Sequence, residues 1–364
     1  MASLVGQTLD EYRLVEQVGR GGMATVYRAV NTRTKREVAI KVLSPSISTD
    51  KRFIKRFRRE GGVVKRLNHP NILPVDGYGE CRGCVYLAMP FMEGETLQER
   101  MNRGPLTEHE ATRWVRQLAS ALEFAHRRGV IHRDVKPSNV MIDKRGNALL
   151  MDFGLARMVE SSNTLTGSML VGTPAYVSPE QGQGRPVDGR ADEYSLGIIL
   201  FQIATGHLPY EGENPMKTVL MHIQEPIPRP SRFNPAVSAA LDAVIMKSLA
   251  KEPRDRFPSV GALGKAYLAA KEGKPVSGVA MPSALPPSMV VSRVDLRGPS
   301  VAASEPSPER RSSMRWPLTV ASILILVLVS FVAYPRLSGL LGVTGRTATV
   351  AVRPVTPSKP ESLG

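Results

Sequence analysis

Apolar and polar residues alternate in three short stretches near the start of the chain, at 12–18, 25–30 and 38–43, each bounded by turn residues. A period of two is that of a strand with one face against a core. Within the third stretch, Val38, Ile40 and Val42 point one way, while Ala39 and Lys41 share the other face. The period then lengthens. Residues 51–67 place Phe53, Phe57, Val64 and Leu67 on one helical stripe, and helical spacing dominates after Thr107. There Trp114, Leu118, Leu122 and Ala125 share a face, with Val115 and Ala119 alongside. Strands first and helices afterwards predict an α+β protein of two lobes with a cleft between them.

The same patterning divides the chain. Residues 1–10 read as a leader without an apolar signal segment, and Ala2 excludes the myristoylation pattern. Continuous periodicity over 11–272 predicts one globular unit, an N-lobe at 11–92 and a C-lobe at 93–272. Residues 273–315 are rich in Pro, Ser and Arg and poor in aromatics. Such a segment buries too little apolar surface to offset its ordering entropy, so it reads as a linker. An uncharged apolar run at 318–334 follows, flanked by Trp316 and Tyr334. As a helix it spans roughly 26 Å, close to the hydrocarbon thickness of a bilayer, which predicts a transmembrane helix at 316–335. Arg310, Arg311 and Arg315 precede the run and only Arg336 follows closely, which orients the large domain to the cytoplasm and the 336–364 tail outside.

The chain of 364 residues carries a formal net charge of +15, which favours anionic partners: nucleotide phosphates, acidic lipid or nucleic acid. Nucleic acid is the weakest of these, since no zinc-finger spacing or RNA-binding aromatic motif occurs. Two cysteines exclude a disulfide framework. They stand in Cys81-Arg82-Gly83-Cys84, which reads as a hairpin turn; a zinc site needs about four ligands, and no second pair exists.

Candidate chemistry narrows the choice. Gly19-Arg20-Gly21-Gly22-Met23-Ala24 joins two predicted strands, and its glycines let backbone N–H groups approach phosphate oxygens. A glycine hairpin alone is common, but here Val38-Ala39-Ile40-Lys41 follows. A lysine within such an apolar strand needs an anionic partner, because an unpaired buried charge is costly. Nucleotide phosphates and a helix carboxylate would serve, and Glu60 is the acid within the next helix. Further on come His132-Arg133-Asp134-Val135-Lys136-Pro137-Ser138-Asn139 and Asp152-Phe153-Gly154, each after an apolar stretch.

This ordered set resembles the eukaryotic-type serine/threonine protein kinases of bacteria, many of them single-pass membrane proteins. The resemblance covers 11–271 and implies the two-lobed protein kinase fold, with ATP and Mg2+ as cofactors and Mn2+ as the alternative ion. It implies that Val18, Gly19, Arg20, Gly21, Gly22, Val26, Ala39, Met89, Met92 and Met141 surround the nucleotide, and that Lys41, braced by Glu60, holds α/β-phosphate oxygens. It further implies that Asp134 accepts the substrate hydroxyl proton, that Lys136 contacts the γ-phosphate, and that Asn139 and Asp152 hold metal. By the same resemblance an activation segment is expected between Asp152-Phe153-Gly154 and Ser178-Pro179-Glu180, with Thr166 and Ser168 as its phosphorylation sites and Thr173 in the peptide-docking loop. Arg133 implies a phosphorylated loop nearby, and Glu180, Asp192 and Arg256 are structural supports. Protein substrates, a kinase-domain homodimer and membrane lipid are the expected partners; a pseudokinase scaffold is the alternative to an active enzyme.

Two features depart from the pattern. Ala24 stands where a third loop glycine is usual. Gly61 and Gly62 follow Glu60 inside a predicted helix, each costing roughly 1 kcal/mol against alanine. They predict either a helix that needs external ordering or a close packing contact. The helix also opens with a basic face, Lys51, Arg52, Lys55, Arg56, Arg58 and Arg59, whose ordinary role is solvation.

Overall fold

The computed structural model describes residues 3–21, 24–44, 51–81, 83–153, 174–276 and 278; side chains at 51–53, 56 and 58–60 are outside that description. The chain divides into two units, 1–286 and 287–364, and the described residues all lie in the first. Gly22, the Glu60 side chain, Thr166, Ser168, Thr173, the linker from 279 onward and the apolar run at 318–334 lie outside the described residues. No helix among the described residues is long and apolar enough to cross a membrane.

The N-terminal lobe is a six-stranded antiparallel sheet in the order β1-β2-β3-β4-β6-β5, formed by Thr8–Leu9, Tyr12–Arg20, Ala24–Asn31, Glu37–Leu43, Gly77–Cys81 (β5) and Cys84–Pro90 (β6). The sheet therefore begins inside the segment read from sequence as a leader. Leu9 is fully buried, and the Tyr86 hydroxyl donates to Asp10 Oδ2 at 2.5 Å. A two-residue strand is too short to show alternation, which is why the pattern concealed it.

The faces of β4 divide as the alternation predicts. Val38, Ile40 and Val42 join Leu9, Leu14, Tyr27 and Tyr86 in an outer core. Ala39 faces inward with Leu87, Met89 and Phe57. Helix α1, Lys51–Val64, covers that inner face. It runs unbroken through Gly61 and Gly62. A Cβ on Gly61 would stand 3.1 Å from Tyr78 Cδ1, whereas one on Gly62 would come no nearer than 3.5 Å to the Tyr78 hydroxyl. Gly61 is thus explained by the aromatic ring lying against the helix.

The C-terminal lobe is helical, and its helices include Leu97–Asn102 (α2), Pro215–Gln224 (α6), Pro230–Phe233 (α7) and Ala239–Ser248 (α8). Thr107 caps α3, Glu108–His126, through a reciprocal capping box with Glu110, and the Trp114, Leu118, Leu122 and Ala125 stripe is buried with Val115 and Ala119. Helix α5, Gly189–Thr205, is buried on all sides over 191–201, as suits a helix at the centre of a lobe. A three-stranded sheet, Gly94–Thr96 (β7), Val140–Asp143 (β8) and Ala148–Leu150 (β9), packs with its β9 strand against α3. The lobes are stitched where Leu73 N–H donates to Leu150 O at 3.0 Å and Leu150 N–H to Asn71 O at 2.9 Å.

Candidate active site

The cleft is built from both lobes. In the upper wall, β2 and β3 flank the glycine turn, which closes through Gly21 N–H to Ala24 O at 2.8 Å. Register places Val26 opposite both Gly19 and Lys41, and Ala39 opposite Met89. Ala39, Met89 and Met92 gather with Leu149 and Met151 into one apolar cluster. Val18 and Arg20 are exposed on β2. Met141 on β8 pairs with Leu149 on β9, so both lie on one face of the lower sheet. An apolar slot with strand edges on either side suits a flat heterocycle. Leu149 and Met151 escaped sequence reading because they are ordinary apolar residues of a short strand.

Lys41 Nζ meets Asp152 Oδ2 at 2.5 Å, with the side chains 18% and 17% exposed. The strand alternation that aims Lys41 inward thus finds its anionic partner across 111 positions of chain. Asp152 follows β9 with φ of 65°, a left-handed conformation that non-glycine residues hold only under constraint. Gly61, the neighbour of Glu60 on α1, lines a cavity of about 20 Å³ shared with Met89, Asp152 and Phe153.

The lower wall carries the second cluster. Lys136 Nζ lies 2.9 Å from Asp134 Oδ2. Asn139 Nδ2 donates to the same oxygen at 2.9 Å and to the Asp134 carbonyl at 2.8 Å. Asn139 reaches there because Pro137–Asn139 forms a single 3-10 turn, with proline at its start. The Asn139 carbonyl accepts from Met151 N–H at 2.9 Å, coupling this turn to the strand that delivers Asp152. His132, fully buried, makes a second coupling. Its Nδ1 accepts from Asp134 N–H at 3.2 Å, so its Nε2–H donates to Met151 O at 2.7 Å, and its ring packs edge-on against Phe153.

Beneath the loop, Asp192 holds the backbone in place. Its Oδ2 accepts from His132 N–H at 2.8 Å and from His126 Nε2 at 2.7 Å, and its Oδ1 accepts from Arg133 N–H at 2.7 Å. Burial alone would raise this carboxyl. The hydrogen bond and charge of His126, with the loop N–H groups, outweigh burial and hold it below its ordinary value. The anchorage explains how Arg133 keeps φ at 68°. The Arg133 carbonyl also accepts from Gln181 Nε2 at 2.8 Å. His126 and Gln181 were not singled out from sequence; one is a helix end and the other a capping-box residue, and neither type signals a distant backbone contact.

Arg256 and Glu180 form a bidentate pair at 2.8 and 2.7 Å with side chains 0% and 2% exposed. The remaining Arg256 donors reach the carbonyls of Arg190, Ala250 and Lys251. This pair fixes the start of α4, Pro179–Gly182, against the loop before α9, Val260–Lys271.

The chain matches the protein kinase domain family over residues 12–268. It is 36% identical over 347 residues to the serine/threonine-protein kinase PknB of Mycolicibacterium smegmatis, covering 91% of this chain and 55% of that protein. It is 38% identical over 256 residues to PrkC of Bacillus subtilis, covering 70% of this chain and 40% of that one. It therefore spans about half the length of these relatives. The crystal structure of the Mycobacterium tuberculosis PknI kinase domain superposes with a TM-score of 0.62 at 34% identity, covering 74% of this chain and 100% of that domain. The cleft described above is thus a protein kinase cleft, and the chain belongs to the protein kinase family, among the bacterial serine/threonine kinases.

Proposed function

We propose that the chain transfers the γ-phosphoryl group of ATP to serine and threonine hydroxyls of proteins. The observation that carries this reading is the pairing within one cleft: Lys41 with Asp152, and Asp134 with Lys136 and Asn139. Phosphoryl transfer asks a protein mainly for positioned reactants and matched charge. Asp134, 38% exposed and held by two donors, is the group placed to orient a hydroxyl and take its proton. Lys41 and Lys136 supply two cationic groups for phosphate oxygens. The apolar slot of Ala39, Met89, Met92, Leu149 and Met151 receives adenine.

Asn139 and Asp152 suit a magnesium ion. They offer one amide and one carboxylate oxygen donor, and no cluster of three or more His, Cys, Asp or Glu among the described residues could hold a metal by itself. Magnesium characteristically takes one or two protein oxygens and completes its shell with phosphate and water. Held by these two residues, such an ion would supply positive charge against the negative phosphate groups. On this reading Glu60 would brace Lys41, Thr173 would belong to the peptide-docking loop, and Thr166 and Ser168 would be autophosphorylated, their phosphate answering to Arg133. The 316–335 segment anchors the chain in a membrane with the kinase domain in the cytoplasm, supported by the apolar run and its flanking arginines.

Purified chain, incubated with γ-labelled ATP, magnesium and a serine- and threonine-bearing protein, should label those residues, and Asp134→Asn should remove most of the transfer. Equal labelling by both proteins, or label confined to tyrosine, would refute the assignment. Nucleotide binding without transfer would leave a scaffold instead.

A further inference from the structure

Cys81 and Cys84 close the β5–β6 hairpin as directly opposed partners, Cys81↔Cys84, one step beyond the pair Glu80↔Val85. Gly83, with φ of 74°, supplies the left-handed residue that a two-residue hairpin turn requires. Alternation along both strands puts the two side chains on one face. Val85 and Leu87 belong to the inner cluster with Tyr78, whereas Tyr86, Ala88, Cys81 and Cys84 belong to the outer one. Both thiols are therefore half-buried neighbours on the side of the sheet opposite helix α1 and Lys41. They are also the chain's two cysteines.

Directly opposed residues of an antiparallel pair have Cα atoms about 4.5 or 5.5 Å apart, and a disulfide accepts about 4.4–6.8 Å. The Cα separation of either ladder position thus lies within reach of the bond, and the two Cβ atoms, about 4.5–5.5 Å apart in such pairs, need to close by up to about 1 Å at the hairpin end. Two thiolates alone fall short of a zinc site, and no third His, Cys, Asp or Glu joins them among the described residues.

We infer that Cys81 and Cys84 are a reversible dithiol–disulfide site, oxidised by thiol–disulfide exchange with a low-molecular-weight disulfide. One cysteine thiolate attacks the small disulfide, forming a mixed disulfide and releasing one small thiolate. The other cysteine thiolate attacks the protein sulfur of that mixed disulfide and expels the second small thiolate. Two protein thiols are oxidised, one small disulfide is reduced to two thiols, and the cysteine protons pass to the departing thiolates. The ring so closed contains only Arg82 and Gly83 between its cysteines, so the bond clips the hairpin end and leaves the cleft face untouched.

The test equilibrates the full native chain with glutathione and glutathione disulfide, quenches with acid, and reads intact mass and alkylation by N-ethylmaleimide. The site predicts a single loss of about 2 Da, simultaneous protection of both cysteines, and full reversal by dithiothreitol. Cys81→Ser and Cys84→Ser should each abolish the loss and carry one glutathione instead. Stable double glutathionylation of the wild type overturns the inference. So does retention of both alkylatable thiols at a disulfide excess that oxidises an unstructured Cys-Arg-Gly-Cys peptide.

Discussion

Asp192→Asn exchanges one oxygen acceptor for an amide donor at the anchor of the catalytic loop. In the wild type, two carboxylate oxygens accept three hydrogen bonds, from His126 Nε2, His132 N–H and Arg133 N–H, at 2.7–2.8 Å. The asparagine carbonyl can replace only one oxygen, so its NH2 must face a backbone N–H. A buried donor left unsatisfied costs roughly 1–3 kcal/mol. Loss of the buried carboxylate charge that these three donors stabilise brings the total to about 3 kcal/mol, near the lower end for breaking a buried charged interaction. At about 2–4 °C per kcal/mol for a domain of this size, the thermal midpoint should fall by roughly 6–12 °C. Arg133, at φ of 68°, is the residue released, and Asp134 follows it directly. A displacement of about 1 Å at the base lowers turnover by on the order of 10²-fold. Thermal unfolding together with initial rates across an ATP series reads both effects. The expected result is a lower midpoint and lower kcat with little change in KM for ATP, because Lys41 and Asp152 are untouched. A variant with wild-type kcat and a midpoint within about 1 °C would refute the anchoring role.

Other substitutions probe packing and protonation. Gly62→Ala should stabilise the domain by about 0.5–1 kcal/mol through helix propensity, whereas Gly61→Ala should fall short of that gain by roughly 1 kcal/mol or more, because its Cβ meets the Tyr78 ring at 3.1 Å and the ring must yield; denaturant midpoints showing both changes alike would contradict the packing explanation. Glu193, fully buried on α5, has its carboxyl pushed up to about 8 by burial, against the opposing Phe257 N–H and Arg256. Above the ordinary carboxylate value the unfolded chain has lost this proton and the folded chain retains it, so its contribution to stability falls as pH rises from about 4.5 to 8. Across that window each step of one in pH removes about 1.4 kcal/mol, so Glu193→Gln should gain several kcal/mol relative to wild type between pH 5 and 8.5, measured by urea unfolding. A constant difference across that range would show that Glu193 does not titrate there.

The legible parts of the molecule were those written in local periodicity. Alternation in β4 correctly separated Ala39 and Lys41 from Val38, Ile40 and Val42, and the α3 stripe from Trp114 to Ala125 is buried as spaced. Lys41 could be recognised as needing an anion, and Glu60 was the expected protein partner; the described contact is with Asp152, and the Glu60 side chain lies outside the described residues. Long-range support was less legible. Asp192 and Glu193 are adjacent acids in one buried helix, yet three donors hold the first ionised while the second meets one backbone N–H and is held largely protonated. Nothing in their local sequence distinguishes these environments, because the partners come from three distant segments. The Gly61 contact was equally hidden, since Tyr78 arrives from another strand.

The most direct test is a double-mutant cycle on ATP affinity in magnesium, comparing wild type, Lys41→Met, Asp152→Asn and the double variant by titration calorimetry. Lys41 and Asp152 share one ion pair and are assigned to one nucleotide–metal site, so each single substitution should weaken binding about tenfold or more, and the double variant should lose clearly less than the two losses combined. Wild-type affinity in both single variants, or strictly additive losses, would contradict their convergence on a common site.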